Sequence, residues 1–384
     1  MADEINVLQG GLAEELSRII TKRASRRVLL VTGRSSFRSC GAHQTLTSLF
    51  GDLGIIFDRF SDFAVNPRLE DAVKGAEQAR NFSPDLIVAI GGGSVLDMAK
   101  LIRALLVIPG PVESLLSHVY GSLPQGLCLV AVPTTAGTGS EATHFAVVYH
   151  QKQKYSFADP NVLPDKVILD PNLTLGLSAR LTAISGFDAL SQAIEAYWAV
   201  GATDESQGYS KIAIRLLWSS LESAVNQPSE LNRERMLEGA YWAGRAINIA
   251  KTTAAHALSY PLTSNYGIPH GHAVALSLGK ILILNSQVEQ FQPADPLSRE
   301  CVAQRLQDLC YLLGAEGPEQ ACGKLYRLME KVGLETSLNQ LGVCSQLAAT
   351  QVLSAVNVER LGNNPLRLTP AALALIWSDE GSDG

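Results

Sequence analysis

The rhythm of hydrophobic and polar positions changes part-way along the chain. In the first half, short unbroken apolar runs recur: Arg27-Val-Leu-Leu-Val-Thr32, ended by Gly33; Gly54-Ile-Ile-Phe-Asp58; Asp85-Leu-Ile-Val-Ala-Ile90, running into Gly91-Gly92-Gly93; Leu127-Cys-Leu-Val-Ala-Val132; and Val167-Ile-Leu169. Runs of this length, separated by helical lengths of chain, predict strands of a parallel sheet covered on both faces. From about Leu177 the apolar residues take up helical spacing, over Ala179 to Ala199, Asp204 to Ala224 and Glu230 to Ala250. The second half is therefore expected to be mainly helical. Turn chemistry at Asp170-Pro171-Asn172-Leu173 marks the change. The expected division is an α/β domain over 1–175 and an all-α domain over 176–384, with a solvated, frayed tail over Ser378 to Gly384.

Composition narrows the function classes. With 384 residues, 46% hydrophobic and 18% charged, the chain is long enough for two domains with real cores. A net charge of −6 gives no reason to expect nucleic acid as a partner. Cys40, Cys128, Cys301, Cys310, Cys322 and Cys344 form no C-x-x-C pair, which fits free thiols in a reducing compartment. The start, Met-Ala-Asp-Glu-Ile, lacks a basic region followed by an apolar core, and no apolar run reaches the ~18 residues of a membrane span. A cytoplasmic protein without membrane contact is expected.

Two segments of the first half suit a phosphate-bearing ligand. Gly91-Gly92-Gly93-Ser94-Val-Leu-Asp97-Met-Ala-Lys100 follows a strand and opens a helix, so backbone amides and the helix N-terminus can cradle a pyrophosphate. Ser94 and Asp97 are spaced as a capping box, and Asp97 reads first as a cap. The turn is not G-x-G-x-x-G, and the same glycines could serve structure alone. Pro133-Thr134-Thr135-Ala-Gly137-Thr138-Gly139-Ser140-Glu141 also follows a strand; its hydroxyls can wrap a ribose or an amide, or form an ordinary turn. Two such loops at adjacent strand ends point to a dinucleotide.

The second half carries the candidate metal chemistry. His256, His270 and His272 are three of seven histidines and fall within seventeen positions. Imidazole is a common ligand for borderline divalent metals. Asp188 and Gln192 are four apart and share a helix face, with Glu195 roughly alongside. Asp188, Gln192, His256 and His270 would make a four-ligand mononuclear site, and His272 qualifies on spacing alone. Taken singly, each of these residues could equally be a cap or a satisfied core group.

In Gly91-Gly-Gly-Ser94-x-x-Asp97-x-x-Lys100, Pro133-Thr-Thr-x-Gly-Thr-Gly-Ser-Glu141, Asp188-Ala-Leu, His256-Ala and Pro269-His270-Gly271, the chain resembles the iron-containing (group III) alcohol dehydrogenases, related in fold to dehydroquinate synthases. The resemblance spans nearly the whole chain. It implies a dinucleotide-binding α/β domain, a helical metal-binding and substrate domain, one Fe2+ or Zn2+, and a homo-oligomer of two or more copies. Gln192 and Tyr260 depart from the pattern, each standing where the family usually has His. Gln192 is a weaker, harder ligand than imidazole. Tyr260 leaves the proton donor open among itself, a ribose hydroxyl and a water.

The resemblance also bears on cofactor and substrate. NAD-using relatives tend to carry Asp after the first strand, whereas this chain has Gly33-Arg34-Ser35-Ser36. Loss of that carboxylate, with Arg34 and the serines as phosphate partners, favours NADPH over NADH. Asn66 and Lys154 are carried as further cofactor-binding candidates beside Gly91 to Ser94, Asp97, Thr134, Thr135 and Thr138. Ile247 to Tyr260 resembles the phosphonate-metabolism subgroup, which reduces phosphonoacetaldehyde. Lys251 could hold an anionic head group, with Thr252, Thr253 or Ser259 assisting. The expected activity is metal-dependent, NAD(P)H-linked aldehyde reduction. A dehydroquinate-synthase-like lyase and a non-catalytic nucleotide binder are the rivals.

Overall fold

The protein is seen here as a computed structural model that describes residues 6–108, 110–117, 122–151, 153–356, 358–374 and 376–377. The predicted tail over 378–384 and the first five residues lie outside the described residues. By its contacts the chain separates into two units, Met1–Leu177 and Ser178–Gly384.

The first unit is built on a six-stranded parallel sheet in the order β1-β8-β5-β4-β2-β3. Its strands are β1 (Asn6–Gln9), β2 (Arg27–Thr32), β3 (Ile56–Phe60), β4 (Leu86–Gly91), β5 (Cys128–Pro133) and β8 (Lys166–Leu169). The sequence pattern finds β2, β4, β5 and β8 to within a residue and places β3 two residues early. It misses β1, and it misses the antiparallel hairpin of β6 (Phe145–His150) and β7 (Gln153–Ala158).

Strand alternation explains the layers, since successive side chains point to opposite faces. Val28, Leu30, Val88, Ile90, Val130 and Val132 face a core shared with α1 (Leu12–Arg23) and α3 (Ala42–Leu53), which follows the short α2 (Ser36–Ser39). Leu29, Val31, Ile87, Ala89, Leu129 and Ala131 face a second core with α4 (Leu69–Phe82) and α5 (Gly93–Val107). The hairpin packs on this side against α5, and the short α6 (Ser114–Ser117) touches β7. Covering both faces is what lets the central strands be apolar throughout. β4 and β5 are direct neighbours, with Gly91 opposite Pro133, so the two Gly/Thr loops emerge side by side.

The second unit is helical. α7 (Ala179–Trp198), α8 (Asp204–Asn226) and α9 (Glu230–Ala250) pack on one another. Ser178, Thr203 and Ser229 cap their N-termini by accepting from Leu181, Ser206 and Asn232 backbone N–H groups. α10 (Ala254–Tyr266) and α11 (His270–Ser286) follow, with α11 against α7 and α10. The unit is completed by α12 (Arg299–Leu312), α13 (Pro318–Lys331), α14 (Ser345–Ser354), α15 (Val358–Gly362) and α16 (Pro370–Ala374). Every residue of α7 from Gly186 to Trp198 is buried, including Asp188, Gln192 and Glu195. Buried polar residues on a central helix need partners, and theirs define the site. No helix among the described residues is long and apolar enough to cross a membrane.

Candidate metal and cofactor sites

Three helices supply the metal candidates: Asp188 and Gln192 from α7, His256 from the first turn of α10, and His270 at the first position of α11. One ligand atom each of Asp188, His256 and His270 fall within 4.8 Å of one another. Asp188 Oδ1 is 3.5 Å from His256 Nε2 and 3.9 Å from His270 Nε2. Asp188 Oδ1, Gln192 Oε1 and His256 Nε2 are all buried without a hydrogen-bond partner among the described residues. Each unsatisfied buried polar atom costs about 1–3 kcal/mol, so three in one place call for a shared partner. A divalent cation fits this set of two lone-pair nitrogens and two hard oxygens.

The close approach depends on Gly271. A Cβ there would lie 2.2 Å from the Ile184 carbonyl oxygen and 2.8 Å from Asp188 Cβ, so any larger residue would push the start of α11, and with it His270, away from α7.

Glu195, one turn beyond Gln192, does a different job from the one its position on the helix face suggested. Its Oε2 takes the short hydrogen bond from His256 Nδ1, which fixes the tautomer and turns Nε2 toward Asp188. Its Oε1 accepts the backbone N–H groups of Thr253 (3.2 Å), Ala255 (2.9 Å) and His256 (3.3 Å), and the Thr253 hydroxyl at 2.7 Å. The carboxylate thus caps α10, whose N-cap residue Thr253 makes no side-chain cap of its own. Trp198 Nε1 donates to the Thr253 hydroxyl at 2.9 Å and extends the network. Burial works against charge on His256, but the carboxylates of Glu195 and Asp188 outweigh it and raise its pKa to about 9. Burial likewise works against the Asp188 carboxylate, and His256 and His270 hold its pKa below the usual value. Metal binding would displace the proton on His256 Nε2.

The remaining candidates in this unit divide. Tyr260 lies flat on His270, with ring centroids 5.6 Å apart and planes 3° apart, and its hydroxyl is hydrogen-bonded to Arg360. Burial raises its pKa, so the phenol keeps its proton. His272 does not join the ligand set: its Nε2 bonds the Glu335 carbonyl oxygen at 2.7 Å, because the next position but one on α11 points away from α7. Thr253 and Ser259, expected beside an anionic head group, are buried and engaged elsewhere. Ser259 Oγ donates to the His256 carbonyl at 2.8 Å and sits 3.2 Å from His270 Nδ1, orienting that ring instead. Thr252 is buried as well. Lys251 is exposed and ends α9 at φ 60°, ψ −179°. That region is essentially reserved for glycine and costs about 1–3 kcal/mol.

The first unit presents the cofactor candidates. A Cβ on Gly93 would lie 2.7 Å from both Thr138 Oγ1 and Cγ2, one on Gly92 3.2 Å from Thr135 Oγ1, and one on Gly91 2.4 Å from Val95. The glycines therefore let the Thr loop nest against the start of α5, and Thr134 N donates to the Gly91 carbonyl at 3.0 Å. α5 begins at Gly93 with no side-chain cap, so the expected Ser94/Asp97 capping box is not formed and the helix's first N–H groups stay available to an anion. Ser94 Oγ instead accepts from Asn66 N at 3.2 Å. Asp97 reaches across to the Ser140 hydroxyl (2.6 Å) and Val147 N (3.0 Å). Buried Lys100 donates to Ser140 Oγ, Thr143 Oγ1 and the Phe145 carbonyl, pinning the far end of the Thr loop. Lys154 is exposed on β7.

At the end of β2, a Cβ on Gly33 would meet Ser36 Oγ at 2.1 Å. Arg34 is ion-paired with Asp62 at the surface. Ser35 stands at the N-cap of α2 without making a side-chain cap. Arg59, which the sequence reading did not single out, wraps this corner: its guanidinium bonds Thr32 Oγ1 at 2.7 Å and the Gly33 carbonyl at 2.8 Å. The parallel pairing of β2 with β3 brings it there.

An uncapped glycine turn beside a hydroxyl loop, and separately a cluster of buried carboxylate, amide and imidazole groups that could hold a cation, are the pattern of an oxidoreductase family. Residues 5–171 match the pattern of "Iron-containing alcohol dehydrogenase", and residues 182–379 that of "Fe-containing alcohol dehydrogenase family, C-terminal". The chain belongs to the iron-containing alcohol dehydrogenase family. It is 36% identical to the phosphonoacetaldehyde reductase of Streptomyces viridochromogenes, over 82% of this chain and 80% of that protein. It is 30% identical to long-chain-alcohol dehydrogenase 1 of Geobacillus thermodenitrificans, over 96% and 92% of the two chains. Among solved structures, sulfoacetaldehyde reductase from Bifidobacterium kashiwanohense in complex with NAD+ superposes with a TM-score of 0.87 at 28% identity, covering 99% of this chain and 98% of that one.

Proposed function

We propose that the protein reduces a short aldehyde bearing an oxyanion, phosphonoacetaldehyde being the first candidate, with NADPH as the preferred reductant and NADH the alternative. The observation that carries the metal assignment is the trio of buried, unpartnered ligand atoms on Asp188, Gln192 and His256, with His270 beside them. When bound, the metal supplies Lewis acidity toward a carbonyl and the nicotinamide supplies the hydride.

The chain's own residues do the rest. Asp188, Gln192, His256 and His270 hold the ion, and Glu195 and Ser259 fix the two imidazole orientations. Gly91 to Ser94 receive the pyrophosphate on the start of α5, with Asn66, Asp97 and Lys154 near it; Thr134, Thr135 and Thr138 line the nicotinamide side. Tyr260, kept protonated by burial, can deliver the proton that converts the alkoxide product to an alcohol. Lys251 offers an ammonium for the substrate's anionic end.

Two names support the substrate class: a phosphonoacetaldehyde reductase and a sulfoacetaldehyde reductase each specify an acetaldehyde with an oxyacid group. The absence of an acid at Gly33 supports NADPH, and the Arg34–Asp62 pair, exposed on both sides, is weak enough to yield to a phosphate. The test is nicotinamide oxidation with neutral, carboxylated, sulfonylated and phosphonylated aldehydes on protein loaded with Fe2+ or Zn2+. Preference for neutral substrates would overturn the substrate reading. Gly33→Asp should raise KM for NADPH more than for NADH, Ser36 rotating to admit the new side chain. Equal changes would remove the cofactor argument.

A further inference from the structure

We propose that Arg360 is a substrate-specificity residue: its guanidinium takes the oxyanion end of the aldehyde, and Asn363 positions Lys251 to share that charge. This rests on the anionic-aldehyde reading above and adds Arg360 and Asn363, which lie outside the motifs of the sequence.

The path from the ligand set to Arg360 is short. Tyr260 stacks on His270, and Arg360 bonds the Tyr260 hydroxyl, so a guanidinium lies at the hydroxyl end of the ring that is stacked on one proposed metal ligand. A guanidinium has donors enough to serve a phenolic oxygen and an oxyanion together, in the planar geometry that suits phosphonate, sulfonate or carboxylate. α15, which carries Arg360, packs on α10, which carries Tyr260 and His256.

Asn363 links the backbone at Arg360 to the backbone around the second cation, Lys251. Its backbone N–H donates to the Arg360 carbonyl at 3.2 Å. Its Nδ2 donates to the carbonyls on either side of Lys251, Ala250 O at 2.8 Å and Thr252 O at 3.0 Å, and its Oδ1 accepts from Gly201 N at 3.1 Å. These bonds hold Lys251 in a backbone conformation that a lysine would otherwise leave. This clamp fixes the Lys251 backbone three residues before α10, the helix that carries His256. The carboxylates of Asp188 and Glu195 match the charge of a divalent ion, so an arriving oxyanion is the charge that the two cations suit.

The experiment compares an anionic and a neutral aldehyde of similar size on metal-loaded wild-type, Arg360→Ala, Arg360→Lys and Asn363→Ala proteins. It is joined by calorimetric titration with unreactive ethylphosphonate and by metal analysis. Arg360→Ala should lower kcat/KM for the anionic aldehyde about 10- to 100-fold, mostly through KM, and weaken ethylphosphonate similarly. The neutral aldehyde should lose much less than the anionic one, its loss falling on kcat through Tyr260 with KM unchanged, and Arg360→Lys should recover part of the anionic loss. Asn363→Ala should raise KM for the anionic aldehyde with metal content unchanged. Equal losses for both aldehydes, with ethylphosphonate binding intact, would show that Arg360 only orients Tyr260 and would overturn the proposal while leaving the anionic reading standing. A wild-type enzyme that favours the neutral aldehyde would overturn both.

Discussion

The glycine cradle of the first unit and the proposed ligand cluster of the second are suited to binding by opposite devices. The cradle works through atoms it lacks: Gly91, Gly92 and Gly93 leave room for Val95, Thr135 and Thr138, and α5 starts without a cap. The cluster would work through atoms it has in excess, polar groups buried with no partner among the described residues. Backbone amides aimed from a helix start suit a large, diffuse anion, whereas a small hard cation needs individual lone pairs. The cradle should therefore break on addition of atoms and the cluster on their removal.

Asp188→Ala carries the largest expected effect. It should lower metal affinity by more than about 100-fold, beyond the usual loss for an outer-shell partner, and abolish turnover while cofactor binding survives. Elemental analysis after dialysis checks it; retained metal would refute the ligand set. Glu195→Gln should cost about 10- to 100-fold in metal affinity, through loss of His256 orientation and of charge at the start of α10. Gly93→Ala should weaken nicotinamide binding about tenfold with metal content unchanged, since the added methyl meets Thr138, and Thr138→Ala in the same chain should restore part of it. Fluorescence titration with NADPH reads both. The smallest effect is on stability: Lys251→Gly should melt about 2–4 °C above Lys251→Ala, because glycine relaxes the φ 60° strain.

How much could be read beforehand follows from the range over which each feature is encoded. Strands β2, β4 and β5 and helices α7 to α9 announce themselves in local apolar rhythm, and they were found to within a residue or two. β1 is four residues on the sheet's edge, too short for a pattern. The β6–β7 hairpin lacks an Asn-Gly type turn and alternates weakly, so nothing local marks it. The proposed ligands Asp188, Gln192, His256 and His270 stand out in the sequence because metal ligands are chosen by residue type. Glu195 was visible only as a neighbour on a helix face, since its partners lie some sixty positions on, at Thr253 to His256. Arg59, Arg360 and Asn363 act through contacts made by folding, and in sequence each is an ordinary polar residue. The capping box failed for a related reason: Asp97 has a tertiary partner in Ser140 that outcompetes the local one.

Because one carboxylate both buttresses an imidazole and closes the opening turn of α10, release of a bound ion and fraying of that turn should be a single event. Escape of the cation should then be timed by the opening of the helix rather than by how much chelator is waiting outside. Mild denaturant should speed it, and slowly exchanging amides at Ala255 and His256 should lose their protection at the same moment.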